Sequence, residues 1–498
     1  MKYVSTRTDR SQINPSQAII KSIADDGGLF VPMKFPPLGD LSKLIDLDYR
    51  ELASYILKMY FDDLGDKLNI IVKKAYDQKF PEEVVKIKET NAFIMELYHG
   101  ITHAFKDMAL SILPFLLKAS LEVNGDDKKV LILVATSGDT GKAALEGFKD
   151  VDGVRAMVFY PKDGVSAIQK LQMISQEGEN LNVFAIKGNF DNAQTAVKDA
   201  FNDKEFNKKI LEKGYELSSA NSINIGRLIP QVVYYVYTYL RLVQNKKIKL
   251  GEKVNIAVPT GNFGNVLAAF YAKNMGLPVN KLIIASNDNK ILTDFFETGS
   301  YDSNRKLILT SSPSMDILIS SNLERLLYHL SDGNYKKVAE AMESLNKDKI
   351  YLWDKNYDDL IYANFAGEED VKDAIKSTYD SYKYLIDPHT AVAVSVYEKY
   401  KKETGDDTQT IIASTANPLK FPDKVLNSLG IDGGDDDFEK LEKIGELMAK
   451  EVPENLSALK DMEVIHKDII DPSKLKEEVL RKLKWRDLWS RYLQQVQM

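Results

Sequence analysis

Four short segments carry residues that can do chemistry together. The first is Tyr98-His99-Gly100-Ile101-Thr102-His103-Ala104-Phe105-Lys106-Asp107. Lys106 follows an aromatic residue and precedes an apolar stretch running to Leu117. Apolar surroundings disfavour an ammonium ion, so the amine of such a lysine becomes usable as a nucleophile. A lone lysine in this setting is more often a surface or ion-paired residue, so Lys106 gains meaning only from its company. His99 and His103 stand four apart, but no third ligand is near, and His329, His389 and His466 are scattered. No metal site is expected from that pattern.

Ligands in open α/β sheets sit beyond the carboxyl ends of strands, and the other three segments each follow an apolar run. Ala135-Thr136-Ser137-Gly138-Asp139-Thr140-Gly141-Lys142 follows Val130–Val134 and opens a helical stretch. Backbone N–H groups at a helix start bind carboxylates and phosphates. The segment is not an ATP-binding P-loop, because Thr136 stands where that motif needs glycine and Ala143 where it needs Ser or Thr. Pro259-Thr260-Gly261-Asn262-Phe263-Gly264-Asn265 follows Val254–Val258. Its two glycines allow close approach of backbone to an anion. Thr415-Ala416-Asn417-Pro418 follows Thr410–Ser414 and offers a hydroxyl to a ring nitrogen. Alone, each segment reads at least as well as an ordinary turn. A reactive lysine, two anion cradles and a strand-end hydroxyl are together the set that pyridoxal phosphate (PLP) chemistry needs.

The elements that must position these segments alternate. Strands are expected at Val130–Thr136, Val154–Pro161, Leu181–Ile186, Val254–Val258, Leu282–Ser286 and Thr410–Ser414. Helices are expected at Gly141–Lys149, Val165–Gln176, Asp191–Phe201, Arg227–Val243 and Asn265–Asn274. Strand–helix alternation with short connections predicts a mainly parallel α/β sheet covered on both faces. Residues 1–85 read as a mostly helical leading region, and 314–408 as largely helical. The acidic run Asp432–Asp437 reads as a solvated loop or helix start. Asp471-Pro472 opens a last helix carrying Lys482, Trp485, Leu488, Trp489 and Tyr492.

Composition narrows the class. The chain has 498 residues, a formal net charge of -7 and no cysteine. The last fact removes disulfides, thiolate catalysis and cysteine-based metal sites. A basic footprint for nucleic acid is absent, and no apolar run is long enough for a membrane helix. The start Met1–Arg10 lacks the apolar core of a signal peptide. A cytoplasmic protein fits these features.

The residues resemble one family through most of their length. The opening Met1–Arg7 and Asp26-Gly27-Gly28-Leu29-Phe30-Val31-Pro32 are similar to the N-terminal signature of threonine synthases. The segment His99–Asp107 resembles that family's HGPTxAFKD motif, with Ile101 in place of proline. Ala135–Gly141, Asn221-Ser222-Ile223-Asn224-Ile225-Gly226-Arg227 and Gly261–Asn265 resemble three further family segments in the same order. The resemblance extends to about residue 425, and the tail matched no known segment.

The resemblance implies a fold-type II PLP enzyme like tryptophan synthase β. Two open, mainly parallel α/β subdomains would follow a helical N-terminal region. The implied division is 1–85, a catalytic core 86–430 with its smaller subdomain at about 131–224, and a helical extension 431–498. The implied reaction converts O-phospho-L-homoserine and water to L-threonine and phosphate. Lys106 would hold PLP and move protons at Cα and Cβ of the substrate. Gly261, Asn262, Phe263, Gly264 and Asn265 would cup the cofactor phosphate, and Thr415 would meet the pyridine nitrogen. Ser137, Asp139 and Thr140 would cradle the substrate carboxylate, with Asn224 and Arg227 as candidates for the substrate phosphate. Two other readings compete. One is a related PLP lyase or a serine/threonine dehydratase; the other is a non-catalytic binding protein of the same fold. A monomer or homodimer is expected, with no nucleic acid or membrane partner.

Overall fold

A computed structural model describes residues 1–483 except 10–11, 81–82, 137, 163–164, 356 and 358. The N-terminal region pairs β1 (Tyr3–Ser5) with β2 (Phe30–Pro32), antiparallel, and is otherwise mainly helical. Helices Tyr49–Tyr60 and Lys67–Lys79 follow. Asp48 caps the first of them, its carboxylate accepting the N–H of Glu51, and Leu52, Ala53, Ile56 and Leu57 point inward at helical spacing.

The chain then builds two sheets in an interleaved order. β3 (Lys86–Glu89) and β4 (Phe93–Glu96) open the larger sheet. The smaller sheet follows from β5 (Lys129–Ala135), β6 (Val154–Pro161), β7 (Leu181–Ile186) and β8 (Tyr215–Ser219). The chain returns through β9 (Val254–Pro259) and β10 (Val279–Ser286) and makes a ribbon of β11 (Ser300–Asp302) and β12 (Ile350–Leu352). It completes the larger sheet with β13 (Ile361–Phe365) and β14 (Thr410–Ser414). A final short strand, β15 (Ile469–Ile470), goes back to the smaller sheet and pairs with β7.

The larger sheet has the order β13-β10-β9-β14-β4-β3 and the smaller β15-β7-β6-β5-β8. Every pairing in the smaller sheet is parallel, and in the larger one only β3–β4 is antiparallel. Strands such as Lys129-Val-Leu-Ile-Leu-Val-Ala135 are apolar almost throughout because helices cover both faces. The two-subdomain, mainly parallel α/β expectation describes this architecture.

Three differences have physical causes. The helix expected over Arg227–Val243 is broken into Ile225–Leu228 and Pro230–Gln244, because Pro230 starts a new helix at its first turn. β4, β8 and β13 were not expected: β4 is a four-residue strand, and β8 and β13 contain polar residues on partly exposed faces. Residues 316–322 are not helical; they form a loop after the short turn Pro313–Met315. At the other end, Pro472 does open a helical stretch, while Trp485, Leu488, Trp489 and Tyr492 lie outside the described residues.

Candidate active site

Lys106 follows β4 of the larger sheet and lies 3.8 Å from Asp139, which begins the helix after β5 of the smaller sheet. Its loop leaves β4 and runs against the segment that leaves β14. Leu97 N–H donates to the Ser414 carbonyl at 3.0 Å, Phe105 N–H to that of Thr415 at 2.8 Å, and Asn417 N–H to that of His103 at 3.0 Å. Lys106 and Thr415 are thereby held side by side. His103 turns the loop with φ 58°, a left-handed conformation uncommon for a residue with a side chain. Its ring pairs with Asn455 at 2.9 Å, so the C-terminal region braces this loop.

The Lys106 ammonium donates to Ser314 Oγ at 3.2 Å and lies 3.8 Å from Asp139 Oδ2. Burial lowers its pKa, Asp139 opposes, and Arg227 and Lys420 add to the lowering; the result is about 8. A substantial share of the amine is thus neutral near physiological pH.

The loop after β5 begins the helix Asp139–Phe148. Thr136 Oγ1 accepts the N–H groups of Gly138 and Gly141 at 2.9 and 2.8 Å and shapes the turn. Gly138 has φ 138°, and a Cβ there would lie 2.7 Å from the Gln169 side chain, so only glycine fits. Asp139 directs Oδ1 at Lys420, 2.7 Å away, and accepts Gln169 Nε2 at 2.8 Å. Burial pushes its carboxyl up, but Lys420 and Lys106 outweigh that and hold it well below the usual carboxylate range. Thr140 is half-buried in the first helical turn, and Ser137 lies outside the described residues.

The loop after β9 forms a cup. Phe263 caps the helix Gly264–Asn274 with φ 63°, again left-handed. Non-glycine strain of this kind is held only where the surroundings enforce it. Asn265 Oδ1 accepts both Tyr234 and Tyr235 hydroxyls, at 2.5 and 2.6 Å. Its Nδ2 is buried with no partner among the described residues. Residues 310–322 press on the cup: Ser320 Oγ donates to the Gly261 carbonyl at 2.7 Å, and Asn322 Nδ2 to that of Asn262 at 2.9 Å.

Asn224 and Arg227 differ sharply. The Asn224 amide donates to the carbonyls of Ile19 and Ser219 at 3.0 and 3.1 Å. Its Oδ1 accepts Gly226 N–H, so its side chain is committed to capping. Arg227 is buried, donates to the Ala220 carbonyl at 2.6 Å, and leaves Nε without a partner among the described residues. No carboxylate pairs with it among the described residues. Burial lowers its pKa to about 10. A buried guanidinium of this kind has donors to spare for an anion.

Sequence reasoning missed Lys420, Ser314 and His389. Lys420 follows Thr415 closely, in Asn417-Pro418-Leu419-Lys420, where a lone lysine among apolar residues was the available signal. Ser314 ends the serine-rich Thr310–Ser314 run, at the first residue of the stretch that reads as largely helical. His389 Nδ1 pairs with Asp387 at 2.8 Å, and its Nε2 accepts Ser314 N–H at 3.3 Å. Only the fold brings it near Lys106.

These features fit PLP. A buried lysine with a lowered pKa, an unpartnered amide N–H2 at a helix-start cup, and a strand-end threonine beside the lysine match its aldehyde, phosphate and ring. Comparison with known proteins agrees. Residues 2–76 match the family described as threonine synthase N terminus, 82–415 the pyridoxal-phosphate dependent enzymes, and 390–475 the threonine synthase C-terminal family. The last match carries the resemblance well past residue 425, into the tail that the sequence reading left unassigned.

The threonine synthase of Saccharomyces cerevisiae is 36% identical over 464 residues, covering 86% of this chain and 89% of that one. The human protein threonine synthase-like 1 is 41% identical over 437 residues, covering 84% of this chain. The chain spans 58% of that relative's length. A solved yeast threonine synthase superimposes with TM-score 0.86 at 33% identity, covering 97% of this chain and 99% of that one. A PLP-bound threonine synthase from Brucella melitensis gives 0.84 at 33% identity with the same coverage. No helix among the described residues is long and apolar enough to cross a membrane. Lys106 and its cup thus stand in a PLP-dependent fold-type II enzyme, and the chain belongs to the threonine synthase family.

Proposed function

We propose that the protein is a threonine synthase, converting O-phospho-L-homoserine and water into L-threonine and phosphate. The observation that carries this reading is Arg227. It is a buried guanidinium with no carboxylate partner among the described residues, close enough that its charge lowers the pKa of Lys106. A site built for an amino acid without a phosphate would have no use for a buried cation there beyond Lys106 and the Asp139-paired Lys420.

PLP, when bound, supplies an electron sink conjugated with the substrate carbons. The rest falls to the chain. Lys106 holds the cofactor and, once freed by the substrate amine, moves the protons at Cα and Cβ, since it is tethered beside both. Gly261, Asn262, Phe263, Gly264 and Asn265 hold the cofactor phosphate through the helix-start N–H groups and the free Asn265 Nδ2. Thr415 orients the ring by a hydrogen bond at its nitrogen.

Arg227 binds the phosphate at Cγ and neutralises the charge that grows as the C–O bond breaks. Cγ then takes up a proton and becomes the methyl group, water gives its hydroxyl to Cβ, Cα is reprotonated, and the remaining proton leaves with the phosphate. The substrate carboxylate sits on the helix-start loop of Ser137, Asp139 and Thr140. The ionised Asp139 side chain repels a carboxylate, so its contribution comes from backbone N–H groups rather than its carboxylate. Asn224 supports Arg227 by shaping the turn before it, through its capping bonds. A cytoplasmic monomer or homodimer completes the reading.

The test is to incubate the PLP-loaded protein with O-phospho-L-homoserine and assay threonine and phosphate together. Matched release supports threonine synthase. Phosphate with 2-oxobutyrate and no threonine assigns the chain to the lyase alternative, and neither product from a PLP-loaded protein removes this substrate.

A further inference from the structure

Asp139 has two buried lysines within reach. Lys420 Nζ lies 2.7 Å from Oδ1, and Lys106 Nζ lies 3.8 Å from Oδ2. Lys420 is 0% exposed, Asp139 4% and Lys106 8%. Oδ1 is further occupied by Gln169 Nε2 at 2.8 Å. Lys420 therefore takes the close contact, and Lys106 is left with a separation too long for a hydrogen bond.

The surroundings make this division matter. Lys420 sits in the short turn Pro418–Lys420 after β14, on the larger sheet's side, and Asp139 starts a helix of the smaller sheet. Lys420 also donates to the Thr102 carbonyl at 2.9 Å, in the loop that carries Lys106. Arg227 faces Lys106 from a third element, His389 faces Asp139, and Asp107 faces Lys420 with its carboxylate engaged by Thr102. A buried carboxylate must be paired, and the nearest cation takes it. Without the Lys420 charge, Asp139 would draw on Lys106. A lysine in a tight pair stays protonated and cannot attack a carbonyl.

We propose that Lys420 is a positioning residue for Lys106: by holding Asp139 in its own ion pair, it keeps the Lys106 amine available for cofactor capture and for proton transfer at the substrate. This rests on the reading of Lys106 as the lysine that holds PLP.

The test follows the capture of PLP by the cofactor-freed full-length chain, read by absorbance, as a function of pH. Lys420→Met is expected to raise the pH midpoint of the capture rate by about one unit, hence about tenfold slower capture at neutral pH. Lys420→Arg keeps the charge and is expected to restore the wild-type midpoint. Lys420→Met combined with Asp139→Asn removes the competing carboxylate and is expected to bring the midpoint back to or below the wild-type value. An unmoved midpoint in Lys420→Met, or no reversal in the double variant, overturns the proposal.

If circular dichroism shows Lys420→Met unfolded, Lys420→Gln takes its place with the same expected rise. Asp139→Asn alone is then expected to lower the midpoint, and no shift in either overturns the proposal. Capture that persists in Lys106→Ala would instead overturn the reading of Lys106 itself, so the two failures are distinct.

Discussion

The carboxylate of Asp107 accepts both donors of Thr102, the backbone N–H at 2.8 Å and the hydroxyl at 2.5 Å. The pair closes the turn just before Lys106, so the residue following that lysine fixes the loop preceding it. Burial raises the Asp107 carboxyl to about 6, against which Thr102 pulls it down. A raised folded-state pKa means the native state prefers the protonated form. Its stabilising effect is complete below about pH 4 and is lost as pH rises through about 6. Compared with Asp107→Asn, the wild-type protein should therefore lose relative stability between pH 4 and pH 7, by about 2–3 kcal/mol. Denaturant melts of both proteins at the two pH values check this, and a pH-independent difference refutes it.

Arg227→Ala should raise KM for the phosphorylated substrate about a hundredfold while PLP affinity changes less than about threefold. Arg227→Lys should recover only part of the loss, because the bidentate geometry is gone. Steady-state kinetics with a parallel PLP titration separates the two effects. Equal losses of both would make Arg227 structural.

Asn265→Ala should behave in the opposite way. It removes the free Nδ2 and the acceptor of the Tyr235 hydroxyl, while the Tyr234 hydroxyl keeps Gln231 Oε1 at 3.2 Å. PLP affinity should fall about tenfold or more, with KM at saturating PLP nearly unchanged. Tyr234→Phe alone should cost less than about 1 kcal/mol of stability, since Tyr235 still satisfies the acceptor.

Gly261→Ala tests the fit of the loop over the cup. An added Cβ would lie 2.7 Å from the Ser314 carbonyl oxygen and 3.3 Å from Met315 Cα, both backbone atoms. The loop must move, taking Ser314 Oγ from Lys106. Weaker PLP binding together with a shifted pH midpoint of capture is the expected outcome, and unchanged values for both would show that the loop yields freely.

Arg325 ties three segments together near the site. It is fully buried and donates to the carbonyls of Phe30, Ser222 and Ile223 at 2.9, 3.1 and 2.5 Å and to Asn322 Oδ1 at 2.6 Å. It joins the N-terminal strand, the segment before Arg227 and the loop over the cup. Arg325→Met should destabilise by about 3 kcal/mol or more, because several buried acceptors lose their donor at once. Thermal or denaturant unfolding reads this directly, and a loss under about 1 kcal/mol would contradict it.

The parallel strands were legible because their residues are apolar on both faces. β6, β7 and β14 have the bounds that the apolar runs predict. The loops after β5 and β9 stood out because a helix start with glycine and small polar residues lets an anion approach. Lys106 and the Thr415 hydroxyl after β14 stood out only in the company of those loops. Short and edge strands such as β4 and β13 were not, since a few residues with mixed polarity carry little periodic signal.

The sequence by itself determined the fold class and singled out Lys106 and three loops as candidates, because each rests on residue type and short-range spacing. Tertiary structure alone decided how the charges are shared. Asp139 belongs to Lys420, Asn224 to its own turn, and Arg227 to no carboxylate among the described residues, through contacts that join distant elements of both sheets. Ion pairing in a buried site follows distance and desolvation, and neither is written in the order of residues along a chain.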